Sequence, residues 1–353
     1  MKLGLQMVFQ NYGRRCPDSE VVANELRMAL LADELGFDEL WPVEHHFTDY
    51  AACPDNTQFL SYLAAKTTRI GLATGAMILP WNDPLRVAEK VIFLDHLSEG
   101  RAVFGMGRGL SRREYAGFGI DMEESRDRFD EASAMILTAL ETGFIEGDGH
   151  YYPQARTEIR PEPRGSFRGR THSVAMSPDS ALQAARLGVG MVVFSNKPDE
   201  AIAAEIDAYR KEYRQHHDGD PPLPRFCDFM VCSNDAAKAS ELAHRHIGAY
   251  FGEVMHHYEL GGDHFKKSHA YKSYGDQARA LGAAGMDGAT NAYIAVQAAG
   301  TPEQILERLQ RRRAVVGEFD LNICAYFGGL AADDAAESLR LFASEVVPAL
   351  RAG

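Results

Sequence analysis

Short apolar runs alternate with segments whose apolar residues recur every third or fourth position, from the first residues of the chain to its last helix-like stretch. The first pattern is that of strands buried on both faces; the second is that of amphipathic helices. "KLGLQMVF" opens the series. A helix follows from about Ser19 to Gly36, with Ser19 placed to cap it and Val22, Leu26, Ala29 and Leu30 at helical spacing. The other strand candidates are "DELWPVE", "RIGLATGAMIL", "RAVFGMGRG", "THSVAMS", "GMVVFS", "RFCDFMVCS" and "FDLNICAYF". Helical patterns such as "DPLRVAEKVIFLDHL", "ESRDRFDEASAMILTALET" and the closing "DAAESLRLFASEVVPAL" come between and after them. Strands alternating with helices imply a parallel sheet, and a set of eight implies an α/β fold of the closed (β/α)8 TIM-barrel type. An open doubly wound sheet is the alternative.

Two stretches interrupt the rhythm. "FIEGDGHYYPQARTEIRPEPRG" is rich in Gly, Pro and charge and reads as a hairpin insertion at about 145–170. The stretch 255–300 has poor periodicity and many Gly, His and Lys residues, which suggests a mobile lid over the barrel mouth. The expected organisation is one barrel domain over 1–353.

Composition narrows the function classes. The 353 residues carry a formal net charge of −13, which disfavours nucleic acid as a partner, because phosphate neutralisation needs clustered Lys and Arg. No basic leader precedes an apolar stretch and no apolar run is long enough to span a bilayer, so a cytoplasmic protein is expected. The five cysteines are odd in number, irregular in spacing and form no CxxC pair, which fits reduced thiols.

In a barrel, chemistry collects where strands end. The second strand ends in Glu44, His45 and His46, and the third passes through Thr74, Gly75 and Ala76. The fourth ends in "GMGRGLSRRE", where glycines beside Arg108 let backbone approach an anion. The two adjacent histidines admit three readings: metal ligands, an acid–base group, or polar residues of the core. Neighbours on a strand point to opposite faces, so both reaching one ion is disfavoured, and no metal is expected. The pairs His216–His217 and His256–His257 read as solvated. One imidazole beside Glu44 makes a reasonable general acid or base.

"EHHFTDYA", "TGAMILP", "DHLSEGRAVFGMGRG", "FGIDMEESR" and the late "GTPEQILERL" occur in an order and spacing that resembles the bacterial luciferase-like, flavin-dependent monooxygenases. The resemblance runs nearly end to end. It implies a homodimeric barrel that takes reduced FMN from a separate flavin reductase. With O2, through a C4a-peroxyflavin, it would oxidise a small hydrophobic organic substrate. It implies that Arg108 and Arg126 bind the FMN phosphate, with Leu110 in the same loop. Gly75–Ala76 would be a non-prolyl cis peptide beneath the flavin ring, and Ala175, Met176, Ser177 and Ser180 further cofactor contacts. His45 would be the catalytic acid–base group, with Glu44 orienting it or tuning its proton affinity. Met77, Ser111 and Phe194 would face the substrate. Gly107, Ser111 and Met176 depart from the luciferase pattern, which sets light emission from a long-chain aldehyde aside. Two other outcomes are a deazaflavin-dependent dehydrogenase on the same barrel and a flavin-binding protein without turnover.

Overall fold

The computed structural model describes residues 1–260, 262, 265, 271 and 285–352. Eight parallel strands pair in chain order: β1 (Leu3–Met7), β2 (Glu39–Pro42), β3 (Gly71–Ala73), β4 (Ala102–Gly107), β5 (Thr171–Val174), β6 (Gly190–Phe194), β7 (Arg225–Cys232) and β8 (Asp320–Cys324). β8 pairs back onto β1, with Leu5 opposite Ile323, and closes a (β/α)8 barrel. Every one of the eight strands falls within one of the apolar runs. The reason is physical: helices cover the outer face and side chains fill the inner one, so barrel strands carry few polar positions. Trp41, Ala73, Val103, Val192 and Cys227 form the inner layer. Two short additions were not separable from sequence. Met77–Ile78 continues the line of β3 beside β4, and Ala298–Gly300 adds to β7.

The helices start where side chains satisfy their free N–H groups. Asp55 accepts from the N–H groups of Thr57 and Gln58 at the start of Asn56–Ala64, and Asp83 accepts from Arg86 at the start of Pro84–Leu97. Ser19 is not a cap. The first helix, Asp18–Glu34, begins after Pro17, which needs no N–H partner of its own and pre-sets the entry angle. The insertion forms an antiparallel pair, Phe144–Gly147 with Gln154–Glu158. Of the stretch expected as a lid, the start is the end of a helix, Gly248–His257, and 285–295 are also helical; most of the remainder lies outside the described residues.

The two ends of the barrel differ in chemistry. At the N-terminal end, fully buried Arg225 pairs with Glu39 at 2.9 Å and Asp320 at 3.2 Å, and Lys2 adds a second cation 2.9 Å from Glu39, so that two cations match two carboxylates. Removing one member would strand the others, so this end reads as structural.

A buried acid in the first helix carries a pH signature. Glu25 accepts from the Phe9 N–H at 2.7 Å, and burial pushes its carboxyl up to about 8, against the opposing backbone bonds of Phe9 and Val8. The folded state therefore binds more protons than the unfolded chain between the ordinary carboxylate range and about pH 8. Stability from this group is complete below the unfolded value and is lost as pH rises through the folded one. Glu25→Gln keeps the acceptor and removes the titration. Its unfolding free energy, measured by urea at pH 5 and pH 8, should gain on wild type at pH 8 and not at pH 5. An equal difference at both values would refute the assignment.

Candidate active site

The C-terminal strand ends enclose a cleft of about 1300 Å³, the space at its mouth included. Its floor is the Gly75–Ala76 peptide, which is cis. The Gly75 N–H donates to the Pro42 carbonyl at 2.9 Å, and the Gly75 carbonyl accepts from Gln6 Nε2 at 3.0 Å. A Cβ on Gly75 would lie 2.9 Å from backbone atoms of Trp41, so only glycine fits there. Val8, Val43, Ile78, Val174 and Phe194 make the walls largely apolar.

One end of the cleft is an acid–base cluster. His45 lines the cleft, and its Nδ1 lies 3.0 Å from Glu114 Oε1; the same oxygen accepts from the His46 N–H at 2.7 Å. Burial pushes the Glu114 carboxyl up, but His45 and His257 beside it more than offset this and hold it well below the usual carboxylate range. An ionised carboxylate accepts only, so neutral His45 must carry its proton on Nδ1. Its Nε2 then presents a lone pair, with the Tyr258 hydroxyl 3.3 Å away. Glu114 comes from the short helix Arg112–Gly117 after β4, and nothing in the sequence singled it out beyond being the lone acid in "RGLSRREYAG".

Two expectations are corrected here. Glu44 does not orient His45. Its carboxylate accepts from Trp81 Nε1 at 2.8 Å, Asn82 Nδ2 at 3.0 Å and the Ile78 N–H at 3.2 Å, and lies 3.3 Å from His46 Nε2. It ties the end of β2 to the end of β3, and His46 belongs with it. His257 is not solvated: it is 1% exposed, stacked on Tyr50 at 4.3 Å, with Nε2 3.8 Å from Glu114 Oε1. Its neighbour His256 faces outward against Arg113.

The other end is cationic. Arg108 lines the cleft with its guanidinium 4.0 Å over the Tyr271 ring, and its carbonyl accepts from the Tyr115 hydroxyl. Arg126, in the first turn of Ser125–Thr142, has its proton affinity lowered by burial and then by the like charge of Arg108. It makes no hydrogen bond or ion pair with a described residue. Ser177 caps Pro178–Arg186, and its Oγ is 2.9 Å from Ser180 Oγ.

Of the eleven residues expected at the site, the cleft brings together Glu44, His45, Gly75, Ala76, Arg108, Leu110, Met176 and Ser180. Arg126, Ser177 and Ala175 are not part of this lining, and Ser177 and Ala175 are buried. Among the three side chains expected to face substrate, Phe194 lines the cleft, while Met77 and Ser111 are buried away from it.

Fold and mouth together define a (β/α)8-barrel enzyme whose apolar cleft runs between a pair of arginines and an acid–base cluster. The chain belongs to the luciferase-like monooxygenase family, whose model matches residues 1–318. The alkanal monooxygenase alpha chain of Photorhabdus laumondii subsp. laumondii is 24% identical over 338 residues, covering 94% of this chain and 93% of its own. Among solved structures, monooxygenase RslO1 from Streptomyces bottropensis superposes with a TM-score of 0.79 at 24% identity, covering 99% of this chain and 100% of that one. The oxygenating constituent of 3,6-diketocamphane monooxygenase from Pseudomonas putida, solved with FMN, gives 0.77 at 17% identity over 99% and 98%. An F420-dependent secondary alcohol dehydrogenase shares the fold as well, at 0.72 and 17% over 99% of each chain.

Proposed function

We propose that this protein is a reduced-FMN-dependent monooxygenase that takes its flavin from a separate reductase and oxidises a small hydrophobic organic substrate with O2. The observation that carries the reading is the arginine pair. Arg108 lines the apolar cleft and Arg126 is close enough to feel its charge; Arg126 feels Asp130 and Asp179 as well but makes no hydrogen bond or ion pair with a described residue, which leaves its guanidinium able to pair with a dianionic phosphate. Arg108 and Arg126 would hold the phosphate with help from Ser180, and the Gly75–Ala76 floor would lie under the ring system. FMN in its reduced form supplies the two electrons that oxygen activation requires.

The chain's own groups do the rest. The apolar walls exclude water, which strengthens every polar contact inside. His45 Nε2, an acceptor by its tautomer, takes a proton from the reacting partner or, once charged, returns it; Glu114 steadies the imidazolium. Tyr62, Phe93 and Leu97 are exposed on the helices after β2 and β3, which supports a homodimer through that face. No helix among the described residues is long and apolar enough to cross a membrane.

The fold shared with an F420-dependent enzyme favours one second reading, hydride transfer to a deazaflavin. Anaerobic titration of the purified protein with photoreduced FMN and with reduced F420, followed by mixing with oxygenated buffer, separates the two. Tight FMN binding with reoxidation slower than that of free reduced flavin is expected. Binding of F420 alone would overturn the proposal, and light scattering on the same preparation should give the mass of two chains.

A further inference from the structure

We infer that His45, Glu114 and His257 form one acid–base unit, in which His257 is a positioning residue that competes with His45 for the Glu114 carboxylate and so sets how firmly His45 holds a proton at the cleft. The inference rests on the reading of His45 as the acid–base group.

His257 ends the helix Gly248–His257 and is wedged between Tyr50, stacked at 4.3 Å and 13°, and His45, edge-on at 5.2 Å. Its two nitrogens have different surroundings. Nδ1 is 3.1 Å from Thr48 Oγ1; Nε2 is buried without a hydrogen bond. A hydroxyl can donate or accept, so the choice falls to the far side of the ring. If Thr48 accepted, Nε2 would aim a lone pair at an ionised carboxylate, which is repulsive. Thr48 therefore donates, and neutral His257 carries its proton on Nε2. That proton points toward Glu114 Oε1 from 3.8 Å, beyond hydrogen-bond reach.

A buried N–H without an acceptor is costly, so such a group is normally paired. The carboxylate oxygen nearest to it already accepts from His45 Nδ1 at 3.0 Å and from the His46 N–H at 2.7 Å, which uses both of that oxygen's lone pairs. Two imidazoles thus face one carboxylate. A single negative charge offsets one imidazolium, and the second would be an unmatched cation in a buried site. The other groups facing the pair are the hydroxyls of Tyr50 and Tyr258, and Arg113, whose charge opposes a second cation. Glu44 pairs with His46 and makes no hydrogen bond to His45. One imidazolium beside one carboxylate leaves the unit uncharged, and burial lowers the proton affinity of His257, so the two rings compete for that one proton as a coupled pair. A shift of about 1 Å at this helix end would bring His257 into bonding range and loosen the grip of Glu114 on His45.

The test uses the full chain without flavin, labelled with 15N-histidine and titrated by NMR. In wild type, the His45 and His257 ring signals should move over a shared pH range. In His257→Gln the His45 signal should follow a single-site curve with its midpoint raised by about half a unit or more, since the charge of Glu114 is no longer shared between two imidazoles. Glu114→Gln should lower that midpoint by about one unit. Thr48→Val, which removes only the hydroxyl, should shift the His257 curve and carries the test if His257→Gln fails to fold. A His45 curve identical in wild type and His257→Gln overturns the inference. So does a change on adding EDTA, which would mean that the three groups hold a metal. Flavin-loaded protein then separates the two readings: coupled titrations with a turnover pH profile unmoved in His257→Gln would leave the unit standing and sink the acid–base role of His45.

Discussion

Replacing His45 with alanine leaves FMN affinity within about threefold and lowers turnover by about 10²- to 10⁴-fold, the range that positioned acid–base groups contribute. The separation follows from the layout of the cleft. Arg108 and Ser180 line the cleft without contacting His45, which is held by Glu114 among Tyr50, His257 and Tyr258. Removing the imidazole therefore deletes a proton site without touching the anion site. The cavity it leaves is small and polar, so added imidazole should restore part of the rate. Stopped-flow rates beside an FMN titration decide the matter. Equal losses in turnover and in affinity would make His45 a binding residue. His46→Ala is the control. His46 pairs with Glu44 and not with the cleft, so its loss should disturb the junction of β2 and β3 with little change in the proton step.

The pattern of the chain revealed the barrel because the barrel writes itself into consecutive residues. Strands buried on both faces read as unbroken apolar runs, and polar residues gather where those runs stop. The acid–base cluster was only half legible, for a geometric reason. Adjacent residues of an extended chain point to opposite sides, and residues two apart share a side. That rule separates His45 from His46, and it equally separates Glu44 from His45; Glu44 and His46 belong together, as the 3.3 Å contact shows. The true partner of His45 is brought in from the helix after β4, and His257 arrives from the end of a helix after β7, much later in the chain. Sequence adjacency stood in for spatial adjacency, and it chose the wrong carboxylate. The anion end was more legible, because Arg108 sits in the glycine-rich turn itself. Arg126 was reached through the resemblance alone, since one Arg in "EESRDRFD" looks like any solvated helix charge.

Arg126→Ala should weaken FMN binding by about 10- to 100-fold, the equivalent of one charge-assisted hydrogen-bonding group, while riboflavin, which lacks the phosphate, binds as before. The same substitution should stabilise the flavin-free protein. Arg126 is partly buried, has no hydrogen-bonding partner among the described residues, and its proton affinity is depressed by burial and by the like charge of Arg108, which together outweigh the attraction of Asp130 and Asp179. Taking away one of two neighbouring cations relieves that repulsion. Arg108 is the poorer test, because its guanidinium also stacks on Tyr271 and its removal would disturb packing. Thermal melts with and without FMN read both effects together. Wild type should gain strongly from FMN by linkage, whereas the variant should start from a higher midpoint and gain little. If riboflavin affinity fell in step with FMN, Arg126 would be supporting the cleft rather than the phosphate. An undiminished FMN affinity would remove the anion site from this end of the barrel. The repulsion between the two arginines is thus the cost that an empty anion site carries, and its relief by ligand is what the melts would measure.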